Sequence, residues 1–120
     1  MLNRFFRFCP VTPLLISLAS QEAHAYSACG TSSWYGAEFE GQRTANGERF
    51  SAHGLTAAHR SLPFGAKVRV VNQANGRSVT IRVNDDGPHI SGRIIDLSEG
   101  AFRRIASLGS GVARVCIARL

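Results

Sequence analysis

The stretches "KVRVVNQ" (67–73) and "RSVTIRV" (77–83) flank "ANG" at 74–76. Val68 and Val70 alternate with Arg69, while Val79, Ile81 and Val83 alternate with Thr80 and Arg82. A period of two places each apolar set on one face of a strand, and Asn75-Gly76 supplies positive-φ positions for a tight turn. The chain is thereby committed to a sheet built around this antiparallel hairpin. Its second strand runs straight into "NDDGP" (84–88), where Asp85 and Asp86 stand side by side before a Gly-Pro turn.

The remaining segments are short and extended. "TSSWYG" (31–36) reads as a strand ending at Gly36. "AEFEGQRTANGERFSAHG" (37–54) reads as a long polar loop, and a loop of that length inside a small domain is usually functional or disordered. "LTAAH" (55–59) and "RIIDL" (93–97) read as strands, with a turn at "SLPFG" (61–65). Ser98 is a suitable N-cap for a helix over "EGAFRRIASLG", with Glu99 in its first turn and Gly109 as its stop. "GVARVCIARL" (111–120) alternates throughout and reads as a final strand. About six short strands and one helix favour a mainly β, small closed barrel over a sandwich.

Residues 1–25 read as a secretory signal peptide rather than as part of the fold. Arg4 and Arg7 precede an apolar stretch, Phe8 to Ala19, and Ala23 and Ala25 flank His24 in an A-x-A pattern with cleavage after Ala25. The apolar run is too short to cross a bilayer, and no integral membrane span is expected. The mature domain is then 26–120. Cys9 leaves with the leader, so Cys29 and Cys116 remain, and an even count in a small exported domain points to a disulfide. Ser27-Ala28-Cys29 also matches the end of a lipobox, so lipid anchoring at Cys29 is the alternative. The formal net charge of +6 is carried mostly by dispersed Arg residues. No basic run or aromatic RNA-binding motif accompanies it, so an anionic cell-wall polymer or membrane surface is the expected partner, not nucleic acid.

Three groups carry candidate chemistry: Glu48 in "TANGERF", His59 at the end of a short strand, and Asp85 with Asp86 at the end of the hairpin. Each has an ordinary alternative. Glu48 is a solvated acid, His59 a core-edge imidazole bonded to backbone, and Asp85 an Asx-turn residue. Asp85, Asp86 and His89 lie close in sequence without a recognised ligand spacing, so no metal and no cofactor are expected.

"SSWYG", "RTANGERF", "LTAAHRSLPFGAKVRVVNQANGRSVTIRVNDDGP", "GRIIDLS" and "GVARV" together resemble the catalytic domain of the rare lipoprotein A family. The resemblance spans Ser32–Leu120. It implies a six-stranded double-psi β-barrel, related to expansins and barwin, acting as an exported peptidoglycan lytic transglycosylase of the periplasm or cell envelope. It implies cleavage between N-acetylmuramic acid and N-acetylglucosamine in peptide-poor glycan strands, leaving 1,6-anhydro ends. The non-catalytic alternative is an expansin-like polysaccharide-binding module. The family's catalytic positions fall on Glu48, His59 and Asp85, with Asp85 the candidate acid/base. Trp34 or Tyr35 is a candidate sugar platform, and Arg43, Arg60 and Arg82 are candidate contacts for the muramic lactyl carboxylate. This chain departs from the family pattern at Asp86, where Arg is usual, and at His89, where an aromatic is common. The family's C-terminal peptidoglycan-binding SPOR domain has no counterpart in this sequence, and a monomer is expected.

Overall fold

The computed structural model describes residues 26–120, so the expected signal peptide lies outside the described residues. The elements in chain order are β1 (Ser27–Tyr35), a 3-10 turn (Ala37–Phe39), β2 (Thr56–Ala58), β3 (Lys67–Asn72) and β4 (Ser78–Asp85). Then come β5 (Arg93–Ser98), α1 (Glu99–Ile105), a second 3-10 turn (Leu108–Ser110) and β6 (Val112–Arg119). The six strands close into a barrel in the order β1-β5-β2-β4-β3-β6. Two neighbour pairs, β1 with β5 and β2 with β4, are parallel; the other four are antiparallel.

The expected hairpin forms, with Val68 opposite Ile81 and Val70 opposite Val79. These four side chains and Val83 point into the barrel, where each is at most 5% exposed. The turn is wider than the two-residue form, because the strands part at Asn72 and resume at Ser78. Gly76 alone in it takes positive φ, at 75°. The two asparagines are used elsewhere: Asn72 Nδ2 and Asn75 Nδ2 both donate to the Ile105 carbonyl, at 2.8 and 3.0 Å. They satisfy an orphan acceptor at the end of α1, which a tighter turn would leave unpaired.

Two boundaries differ from expectation. β1 starts at Ser27 rather than Thr31, because its first half pairs antiparallel with β6 and only its second half runs parallel to β5. Within that first half Cys29 lies directly opposite Cys116, and the two form a disulfide. A disulfide-bonded Cys29 has no thiol left for a lipid. The helix is capped as expected, with Ser98 Oγ accepting from Ala101 N–H at 3.2 Å, but it ends at Ile105. Ala106 turns extended at φ −159°, and Leu108 belongs to the following 3-10 turn. In β6, Val115 and Ile117 are the inward set at 0% and 1% exposure. The opposite phase carries Cys116 to the outer face, toward Cys29.

Two bulges prepare the mouth of the barrel. Across β1 and β5, Thr31 pairs with Arg93 and Ser32 with Ile95, so Ile94 is an extra residue on β5. Across β2 and β4, Ala57 pairs with Val83 and Ala58 with Asp85, so Asn84 is extra on β4. Bulges of this kind break the strict alternation and re-aim the side chains that follow. Among the described residues, no helix is long and apolar enough to cross a membrane.

Candidate active site

The ends of β1, β4 and β5 and the long loop after β1 surround a groove of about 410 Å³. Trp34 and Tyr35 come from β1, Glu38 and Phe39 from the 3-10 turn, and Gln42, Arg43, Thr44 and Phe50 from the loop. Ala58, Asp85, Asp86, Arg93 and Asp96 complete the lining. Tyr35 stacks on Phe50 with ring centroids 4.7 Å apart, and Phe39 meets Tyr35 edge-on. The groove is therefore lined by both aromatic rings and carboxylates. Trp34 is anchored from behind, since its Nε1 donates to the Leu108 carbonyl and its ring lies beside Phe102.

The loop is ordered by its own hydrogen bonds. Thr44 N–H donates to the Glu48 carbonyl at 2.8 Å and Phe50 N–H to the Gln42 carbonyl at 2.7 Å, with Arg43 bridging Arg49. The resulting small hairpin turns through Asn46 and Gly47, the latter at φ 95°. Asn46 Oδ1 accepts from both Thr44 Oγ1 and Glu48 N–H. The hairpin docks on the end of β4 through Asn46 N–H to the Asn84 carbonyl and Ala45 N–H to Asp85 Oδ1, at 3.2 and 2.9 Å.

Asp85 is the acid this docking presents. Its Oδ1 accepts two backbone N–H groups, from Ala45 at 2.9 Å and from Asp86 at 3.0 Å. Oδ2 takes no backbone hydrogen bond, so one oxygen is fixed by the main chain, and Asp85 lines the groove. The Tyr35 hydroxyl is buried against this carboxylate, close enough to interact with it but short of full hydrogen-bond geometry. Burial first, then the charges of Asp85 and Asp96, raise the Tyr35 pKa, so the phenol stays protonated as a donor.

Glu48 and His59 do not line the groove. The Glu48 carboxylate takes both Arg82 guanidinium nitrogens, at 3.0 and 2.9 Å, and Asn84 Nδ2 at 2.7 Å. These bonds, those to Arg82 first, lower its pKa to about 2. A lowered carboxylate stabilises the fold above the ordinary value of about 4.5 and loses that contribution as pH falls toward 2. The Glu48 carboxyl resonance is accordingly expected to titrate by NMR with a midpoint near 2; a midpoint near 4 contradicts the clamp. His59 is 3% exposed. Its Nδ1 accepts from Ser61 and Leu62 N–H at 3.1 and 3.0 Å, and its ring meets Tyr26 edge-on. Burial first, then the Arg60 charge, lower its pKa and hold it neutral.

The candidate arginines divide. Arg43 lines the groove, while Arg82 is occupied by Glu48, and Arg60 does not line it but donates from Nη2 to the carbonyl of the lining residue Arg93. The two departures from the family pattern meet at the lip, with His89 Nε2 3.3 Å from Asp86 Oδ2. The sequence reading did not single out Arg93 and Asp96. They form a bidentate pair at 2.8 Å on each oxygen, and Asp96 Oδ1 also accepts from Ser33 Oγ at 2.6 Å. Positions three apart on a regular strand face opposite ways; the bulge at Ile94 is what brings them together. Among the described residues no cluster of His, Cys, Asp or Glu has the arrangement of a metal site.

A closed six-stranded barrel with two parallel pairs, carrying a half-fixed carboxylate at its grooved mouth, defines a double-psi β-barrel. Solved structures share the fold. A Streptomyces papain inhibitor matches at TM-score 0.63 and 25% identity, over 78% of this chain and 93% of its own. The Clavibacter michiganensis expansin in complex with cellohexaose matches at TM-score 0.62 and 19% identity, over 79% and 50%. Residues 27–117 match the lytic transglycolase family, and the chain belongs to that family. It is 58% identical over 88 residues to a probable endolytic peptidoglycan transglycosylase RlpA of Synechocystis, covering 73% of this chain and 27% of that protein. The endolytic peptidoglycan transglycosylase RlpA of Pseudomonas aeruginosa is 52% identical over 94 residues, covering 78% and 28%. The chain thus spans about a quarter of the length of these relatives.

Proposed function

We propose that this domain is an endolytic peptidoglycan lytic transglycosylase that breaks the bond between N-acetylmuramic acid and N-acetylglucosamine without water. The observation that carries the reading is Asp85: a groove-lining residue with Oδ1 held by two backbone donors and Oδ2 by none, in a chain of the lytic transglycolase family. A glycosidic oxygen leaves only when protonated, so a carboxylic acid placed against it supplies the proton. The Asp85 Oδ2 proton passes to the glycosidic oxygen as its bond to the muramic anomeric carbon breaks. The 6-hydroxyl oxygen of the same sugar closes on that carbon, and its proton returns to Asp85 Oδ2. The acid is regenerated, and no second carboxylate is required to activate water. Asp96 is occupied by Arg93 and Ser33. That pair fixes one wall of the groove, while the buried Tyr35 hydroxyl stands beside Asp85. Trp34 and Tyr35 form the sugar-facing wall, and Arg43 and Asp86 stand at its edges.

The leader at 1–25 is read as the export signal that leaves 26–120 as the mature domain in the cell envelope. A disulfide is consistent with that oxidising compartment. Incubating residues 26–120 with peptide-stripped sacculi is expected to release glycan fragments ending in 1,6-anhydro-N-acetylmuramic acid, detected by mass spectrometry. Retention on the sacculi with no fragments released defeats the enzyme reading.

A further inference from the structure

We infer that Glu48 and His59 are positioning residues that act on the reaction only through Asp85, Glu48 by docking the loop hairpin on its carboxylate and His59 by fixing the turn that follows its own main-chain bond to Asp85. The inference rests on the reading of Asp85 as the proton carrier. Neither side chain lines the groove. Glu48 grips Arg82 and Asn84, three and one positions before Asp85 on β4, and so ties the loop hairpin to the strand. That tie brings Ala45 N–H within 2.9 Å of Asp85 Oδ1. His59 works through the main chain. Its main-chain N–H donates to the Asp85 main-chain carbonyl at 3.1 Å, and its Nδ1 gathers the Ser61 and Leu62 N–H groups, which fixes the turn leaving that contact. An Nδ1 that accepts two N–H bonds carries no proton, so the ring is the Nε2–H tautomer. The charged group acting on that ring is Arg60, which further disfavours its protonation. An ionised Glu48 and a neutral, enclosed His59 are therefore suited to hold geometry. A displacement of about 1 Å at a reacting group costs on the order of a hundredfold in rate, so clamps of this kind are felt as strongly as direct participants.

Conservative variants separate the two roles. In His59→Asn the amide oxygen takes the place of Nδ1 as acceptor, whereas His59→Leu keeps bulk and loses the acceptor. His59→Asn is expected to retain turnover on peptide-stripped sacculi within about threefold, with the wild-type pH–rate profile. His59→Leu is expected to fall roughly a hundredfold in kcat with little change in KM. Glu48→Gln, which keeps an acceptor for Asn84, is expected to lie between them with the same pH limbs. If His59→Asn or Glu48→Gln is as inactive as Asp85→Asn, or drops one limb of the profile, the residue carries a proton and the inference is overturned. An activity-independent readout keeps this distinct from the reaction itself. The amide proton signals of Ala45 and Asp86 should shift in His59→Leu and Glu48→Ala and stay in place in the conservative variants. A wild type that releases no anhydro product sinks the transglycosylase reading, while unmoved amide signals sink the clamps.

Discussion

Asp85→Asn is expected to lower release of anhydro-ended fragments by roughly a hundred- to ten-thousandfold, the range of a lost general acid. The substitution is chosen for what it preserves. Asparagine keeps a carbonyl oxygen that still accepts from Ala45 and Asp86 N–H, so the loop hairpin remains docked on β4. What it removes is the exchangeable proton on Oδ2. The thermal midpoint and retention on sacculi should therefore stay near wild type while turnover disappears. Asp85→Ala should do more, because it also orphans the two N–H donors and frees the loop. Substantial turnover by Asp85→Asn transfers the acid role to another group, with Asp96 across the groove the first to examine.

Removing the disulfide is the second large effect. Cys29 and Cys116 are 87 residues apart in sequence and directly opposed on β1 and β6, so their bond closes a loop of most of the domain. Constraining an unfolded chain over such a loop is worth about 4–5 kcal/mol in the chain-entropy model. A domain of this size has roughly 5–15 kcal/mol in total. The double variant Cys29→Ser with Cys116→Ser is expected to lower the melting temperature by on the order of 20 °C, read by circular dichroism. A fall of less than about 5 °C means that the β1–β6 pairing holds the barrel without its covalent link.

The hairpin was legible because valine alternation, a period of two and an Asn-Gly pair all agree over β3 and β4. The turn width was not, because Asn72 and Asn75 are drawn to the Ile105 carbonyl, a tertiary demand absent from the local pattern. The start of β1 was missed for a similar reason: "SACG" has little alternation of its own and is extended by pairing with β6. At the site, the resemblance brought Glu48, His59 and Asp85 forward together, and the structure ties Glu48 by its carboxylate to Asn84, beside Asp85, and His59 by its main-chain N–H to Asp85. Only Asp85 faces the groove, a distinction that depends on burial and hydrogen bonding. Arg93 and Asp96 were hidden because a period-two reading of "RIIDL" sends them to opposite faces. One signal was available: an aspartate breaking an otherwise apolar strand, with a basic residue three positions before it.

The most direct test of the account is the origin of the oxygen at the new end. Digesting peptide-stripped sacculi with residues 26–120 in oxygen-18 water and weighing the fragments distinguishes ring closure from hydrolysis. Fragments one water lighter than hydrolysis products, with no heavy oxygen incorporated, are the predicted result. Reducing ends carrying oxygen-18 would show that water attacks the anomeric carbon, and would contradict the single-acid mechanism built on Asp85.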